Sequence, residues 1–271
     1  MAATNNFSPE NVIISTSSGT TYKAVLPNRS VLAIKRLNTC TLSEKQFHLE
    51  INRLGQLRHP NLTPILGFCV VEEEKLLVYK YLSNRTLRSL LNGNGNELDW
   101  GLAWLHHGCH PPIIHQKICS NVILIDEDFY ARIMDFGLAR LMASDANESS
   151  FVNGDLGYTM VASIKGDAYG FGVVLLELAT GQKPLEVSTM EEEFKGKLVD
   201  WDVINKALLG KGHNKEILQV LKIACNCVVS QLKDRWFTYQ VYQSLKSMNK
   251  DRDFSEQDDE FPLIFGKQEN P

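Results

Sequence analysis

Residues 113–140, IIHQKICSNVILIDEDFYARIMDFGLAR, decide the fold. Val122, Ile123, Leu124 and Ile125 form a short apolar run closed by Asp126-Glu127-Asp128, and a second run, 130–134, leads straight into Asp135-Phe136-Gly137. Apolar runs of this length bounded by a turn read as strands. The pattern predicts two short strands joined by an acidic turn, delivering Asp135 to the mouth of a cleft. A lone carboxylate beside a flexible glycine suits a hard cation such as Mg²⁺, which takes oxygen ligands.

The same residues resemble the catalytic loop and D-F-G segment of protein kinases, H-R-D-L-x-x-x-N followed by D-F-G. On that pattern His115 matches, Gln116 stands for the arginine, Lys117 for the catalytic aspartate, Cys119 for the loop lysine and Val122 for the metal-binding asparagine. Asn121 is one residue out of register, and at a strand entry a one-residue offset turns the side chain to the other face. It is therefore not counted as a ligand. The family's aspartate accepts the substrate hydroxyl proton, whereas an ammonium at Lys117 only donates. Losing a general base forfeits roughly 10² to 10⁴ in rate, and losing the loop lysine and second metal ligand removes further transition-state stabilisation. Gln116 cannot make the charge-assisted pairing to an activation-loop phosphate that an arginine makes. The resemblance thus implies no intact catalytic set, with Asp135 the one remaining candidate for metal.

Composition fits a folded domain of this kind. The 271 residues are 44% hydrophobic and 22% charged, enough for a substantial core, and the net charge of −4 without a Lys/Arg run argues against nucleic acid as a partner. Cysteines 40, 69, 109, 119, 225 and 227 are scattered without disulfide or C-x-x-C spacing, which points to a reducing compartment. His106, His107, Cys109, His110, His115 and Cys119 could be read as a zinc cluster, but the prolines at 111 and 112 and the kinase register already account for the segment. The longest apolar run, 171–178, is far short of the roughly 20 residues that span a bilayer. The chain is expected to be cytoplasmic, without direct membrane insertion.

Upstream, residues 11–37 read as strand, turn, strand, turn, strand, like the antiparallel start of a kinase small lobe. Aligned on Tyr22-Lys23-Ala24, the first two positions of the glycine-rich phosphate cover are Ile14 and Thr16, and only Gly19 remains. Side chains there keep backbone amides away from phosphates. Val31, Ala33, Lys35 and Leu37 share one face by two-residue periodicity, and a lysine on an apolar face asks for a partner. Residues 42–57 have helical spacing with Glu50 on the inward stripe. Lys35 and Glu50 thus resemble the kinase lysine and αC-helix glutamate pair. Tyr79 falls at the gatekeeper position, with Tyr81 and Leu82 in the link between lobes. By resemblance, the candidate nucleotide-binding set is Gly19, Lys35, Glu50, Tyr79, Tyr81, Leu82 and Asp135, with ATP and Mg²⁺ as the implied ligands.

In the large lobe, 167–181 resembles the buried helix that begins on an aspartate and ends on a glycine, and Asp167 is expected to brace the catalytic loop. Segments 217–229 and 237–248 are amphipathic. Three joins, near 100/101, 157/158 and 201/202, look short, and no A-P-E motif is present to pair with Arg235. The expected class is α+β, a bilobal protein-kinase-like fold with a β-rich small lobe (10–80) and a larger, shortened helical lobe (81–249). An N-terminal segment (1–9) and an acidic then apolar tail (250–271) flank them, and missing core segments are expected to expose apolar surface.

The whole chain is similar to plant leucine-rich-repeat receptor-like kinases. The opening ATNNF, the phrase LGFCVVEEEKLLVYKYLSNRTL and the tail FSEQDDEFPLIFG point to the inactive subgroup that binds the brassinosteroid co-receptor kinase. That resemblance implies a pseudokinase that regulates signalling by binding an active receptor or co-receptor kinase at the cytosolic face of the plasma membrane. The alternatives are an atypical ATP-dependent serine/threonine kinase with an unorthodox base and a non-catalytic nucleotide-binding switch. Serines 144, 149 and 150 could receive phosphate from a partner kinase, and the tail could dock or simply solvate.

Overall fold

Alternating burial along the N-terminal strands builds the first layer. The computed structural model describes residues 2–38, 40–82, 86–87, 98–142, 156–181 and 213–248. The serines at 144, 149 and 150, the join at 201/202 and the tail lie outside them. The chain divides into two units, Met1–Gly93 with Cys119–Met160, and Asn94–Ile118 with Val161–Pro271. Residues 119–160, assigned to the large lobe from sequence, therefore group with the sheet.

In the first unit, β1 (Val12–Thr16), β2 (Gly19–Val25), β3 (Val31–Leu37), β4 (Ile65–Val71) and β5 (Glu74–Lys80) form an antiparallel sheet ordered β1-β2-β3-β5-β4. Lys35 of β3 stands opposite Thr21 of β2 and Leu77 of β5. Helix α1 (Glu44–Leu54) starts at Ser43, which forms a reciprocal capping box with Gln46. Phe47, Ile51 and Leu54 bury its inward stripe, and Phe47 meets Phe68 of β4 edge-to-face at 5.6 Å. Three side chains buried this fully supply roughly 1.5–3 kcal/mol each.

The two-stranded ribbon expected from 122–134 is present as β6 (Ile123–Ile125) and β7 (Ala131–Ile133), followed by the short helix α2 (Ala139–Met142). Backbone bonds tie β7 to the segment before β4: the Ile133 amide donates to the Asn61 carbonyl (2.8 Å) and the Thr63 amide to the Ile133 carbonyl (2.9 Å). This seam fixes where the chain leaves β7, and so fixes Asp135.

The second unit is helical. Helix α3 (Leu98–Ala103) runs without a break across the short join at 100/101 and widens into a π-helical segment, Trp104–Gly108. Helix α4 spans Leu156–Thr180. Asp167 is thus in its interior, where the sequence reading started the helix. No proline interrupts 156–180, and the helix runs back through the short join at 157/158. Helices α5 (Asn214–Cys227) and α6 (Thr238–Met248) complete the unit.

Two expectations about this unit are corrected. Arg235, which lacks an A-P-E glutamate, donates instead to the carbonyls of Val229 (3.0 Å) and Lys165 (3.2 Å) and lies 4.8 Å over the Tyr169 ring. Among the described residues, the unit's exposed large hydrophobic is Tyr239 alone, because Leu102, Trp104, Phe171 and Leu175 are all buried.

Candidate functional site

Asp135 closes the β7 exit at φ 68°, a left-handed conformation that Asp tolerates better than most residues. Its Oδ2 receives three side-chain donors: Lys35 Nζ at 2.6 Å, Ser18 Oγ at 3.0 Å and Thr16 Oγ1 at 3.2 Å. Lys35 Nζ also donates to Thr16 Oγ1 at 2.8 Å. The side chains of Lys35 and Asp135 are 0% and 4% exposed, so the ion pair is sealed from water. Burial pulls the Lys35 ammonium below the ordinary lysine range, and the Asp135 charge and hydrogen bond act in the opposite sense.

The expected partner of Lys35 was Glu50, and that pairing is not formed. Glu50 is held by Arg53, three residues on along α1, through Nε–Oε2 (3.2 Å) and Nη2–Oε1 (2.5 Å), with Arg140 Nη1 at 4.0 Å. A guanidinium on the same helical face offers two donors to the glutamate without any tertiary adjustment, while Asp135 takes the lysine.

The other candidate positions lie in the same unit. Tyr79 is 1% exposed and its hydroxyl has no hydrogen-bond partner among the described residues; burial, then the Asp135 charge, push the phenol well above its ordinary range. Leu82 is buried, and Tyr81, partly buried, carries Lys23 Nζ 5.4 Å over its ring. Gly19, at φ 150°, lies so close to β3 that a Cβ would sit 2.1 Å from the Arg36 carbonyl oxygen. Its position is set by strand packing rather than by a phosphate. Thr16 and Ser18 are the functional residues that sequence reasoning missed. The signal was the run of hydroxyl residues 15–18 around Thr16, where a glycine was expected.

A Mg²⁺ site fits these residues poorly. Asp135 Oδ2 is already engaged by three donors, leaving Oδ1 as its one buried oxygen without a hydrogen-bond partner. Val122, at the second-ligand position, is 2% exposed and carries no oxygen on its side chain. Among the described residues no group of three or more His, Cys, Asp or Glu could hold a metal.

The catalytic-loop residues 115–118 belong to the helical unit. Asp167 Oδ2 accepts the His115 amide and Oδ1 the Gln116 amide, both at 2.6 Å, and His106 Nε2 lies 2.9 Å from Oδ2. His106 Nδ1 in turn meets Thr238 Oγ1 at 2.9 Å. These histidine contacts explain the cluster at 106–119 as packing. Gly170 of α4 lets the helix approach the loop, since a Cβ there would meet the Ile118 carbonyl oxygen at 2.6 Å. The brace expected of Asp167 is therefore present, but the chain it holds presents an exposed Lys117 and a partly buried Cys119.

Comparison with known proteins agrees with this geometry. Residues 10–245 match the family model described as protein tyrosine and serine/threonine kinase. The chain is 57% identical to the inactive LRR receptor-like serine/threonine-protein kinase BIR2 of Arabidopsis thaliana over 100% of its own length and 50% of that protein. It is 56% identical to a probable inactive receptor kinase of the same plant, over 99% and 51% of the two chains. It spans about half the length of the curated relatives it matches. A solved structure described as the pseudokinase domain of BIR2, an immune regulator of the RLK/Pelle family, superposes with a TM-score of 0.80 at 54% identity, covering 99% of this chain and 91% of that one.

Proposed function

The chain belongs to the protein tyrosine and serine/threonine kinase family and has the kinase fold, and on that premise we propose that it is a pseudokinase module of a plant receptor-like kinase. It regulates signalling by binding an active receptor or co-receptor kinase, not by transferring phosphate. The observation that carries this reading is the sealed Lys35–Asp135 pair, latched by Thr16 and Ser18. In a working kinase the corresponding lysine reaches the nucleotide phosphates and the aspartate holds Mg²⁺. Here each group is the other's ligand, and two hydroxyls occupy the approach to the carboxylate.

The catalytic loop supports the same reading. Lys117 offers only donors where a proton acceptor is required, and buried Val122 offers no ligand. A folded surface without turnover can still act by binding, and the inactive relatives named above support that role. The relatives' designation as receptor kinases supports action at the cytosolic face of the plasma membrane, and no helix of the described residues is long and apolar enough to cross a membrane. The match to BIR2 extends over 306 positions against the chain's 271 residues, which supports reading the short joins as absent segments of the large lobe.

Thermal-shift titration with ATP, with and without Mg²⁺, tests the latch, and calorimetry against active receptor kinase domains tests the binding role. The expected result is no stabilisation at millimolar nucleotide and micromolar association with a kinase domain. Phosphotransfer from Mg²⁺-ATP that vanishes in Asp135→Asn would overturn the reading.

A further inference from the structure

Two features of the sheet unit meet at one side chain, Arg132. The turn between β6 and β7 holds Phe129 at φ 65°, a region that bulky residues rarely adopt. Phe129 is nevertheless 74% exposed, and Tyr130 beside it 49%. The turn is firmly held: Asp126 Oδ1 accepts the amides of Asp128 (3.1 Å) and Tyr130 (2.9 Å), and Oδ2 accepts Arg132 Nε (2.7 Å). Burial works against this carboxylate, but the Arg132 and backbone hydrogen bonds hold it below the ordinary range. The result is an aromatic knob on a well-held turn, flanked by the exposed acids Glu127 and Asp128.

The second feature is a cavity of about 390 Å³ walled by Leu57, Pro60, Leu62 and Pro64 and lined also by Arg58 and Arg132. Arg132 belongs to both features, because its Nη1 donates to the Pro60 carbonyl at 2.6 Å while its Nε holds the turn. Arg58 is exposed and donates to the Gly55 and Leu57 carbonyls through Nη1. An acid-flanked aromatic knob therefore lies next to an apolar cavity that carries two arginines.

We propose that this face is a self-association surface, on which two copies of the chain pair about a two-fold axis. Phe129 of each copy seats in the other's cavity and Asp128 faces Arg58. The charge complementarity selects a second copy as the occupant, since one patch supplies both halves of the contact, as a two-fold interface requires. The held turn presents the aromatic on an already ordered backbone, so little main-chain freedom is lost on docking, and aromatic residues are enriched among interface anchors.

Sedimentation velocity on the 271-residue chain, from about 1 to about 200 µM, tests this. The expected result is a weight-average mass that climbs towards twice the monomer, and a monomer throughout for Phe129→Ser. Asp128→Arg and Arg58→Glu should each be monomeric and folded by circular dichroism, and their equimolar mixture should dimerise again. That exchange keeps the test decisive if Phe129→Ser fails to fold. A wild-type chain that stays monomeric to the highest concentration overturns the proposal. So does a dimer indifferent to all three substitutions, or a monomer whose capture of an active kinase domain is weakened by Phe129→Ser, which assigns the knob to a different protein.

Discussion

Asp135 and Asp167 are both buried carboxylates at the ends of kinase motifs, yet they are held in opposite ways. Asp167 is gripped by two backbone amides at 2.6 Å and by His106, whereas Asp135 is gripped only by side chains, a lysine and two hydroxyls, all on one oxygen. Backbone donors cannot rotate away, so the first arrangement is part of the frame. Side-chain donors choose their acceptor by rotamer, so the second is a rearrangement of groups that elsewhere serve a ligand. The frame of the kinase fold is in place, and the groups that serve a ligand in a working kinase form an internal staple.

The sharpest way to break this comparison is at the frame. Asp167→Ala strands two amides and His106 and is expected to lower stability by about 4–5 kcal/mol in urea denaturation. A loss comparable to an ordinary surface substitution would remove the distinction. Next is the staple: Lys35→Met leaves a buried carboxylate and should be destabilising by about 3 kcal/mol, but Lys35→Met with Asp135→Asn should recover most of it, because asparagine removes the unpaired charge, still accepts from Thr16 and Ser18, and tolerates the left-handed backbone. No such rescue is expected for Asp167 with His106.

Acid adds a third probe confined to the sheet unit. Burial pushes His59 down from 6.5 to about 4, so the fold keeps the imidazole neutral while the unfolded chain takes up a proton. Its contribution is complete above the unfolded value and is lost as pH falls from 6.5 towards 4. Urea midpoints at about pH 7 and about pH 4.5 should differ by about 2 kcal/mol in stability, and His59→Gln should flatten the difference. The smallest effect is expected of Ser18→Ala, about 1 kcal/mol for one of three bonds to Asp135, read from the same denaturation curves.

Much of this was legible in the sequence, and the limits have physical causes. Two-residue periodicity placed Lys35 on the buried face of β3, and the apolar runs at 122–125 and 130–134 placed the ribbon that carries Asp135. Periodicity assigns a face but not a partner. Glu50 and Asp135 both answer the lysine's need, and the choice depends on Arg53 taking the glutamate through its i,i+3 spacing. The start of α4 was misplaced for a related reason: a buried aspartate reads as a helix cap, yet the helix runs on to Leu156 and Asp167 acts from its interior. The knob at Phe129 was invisible, since a positive φ on an aromatic is imposed by the Asp126 bonds around it.

Gly19 carries a consequence for how such chains are classified. Its lack of a side chain is demanded by the Arg36 carbonyl, a neighbour in the sheet, so selection on folding alone would retain it long after nucleotide binding had gone. A surviving glycine in this hairpin is therefore a poor marker of an active kinase.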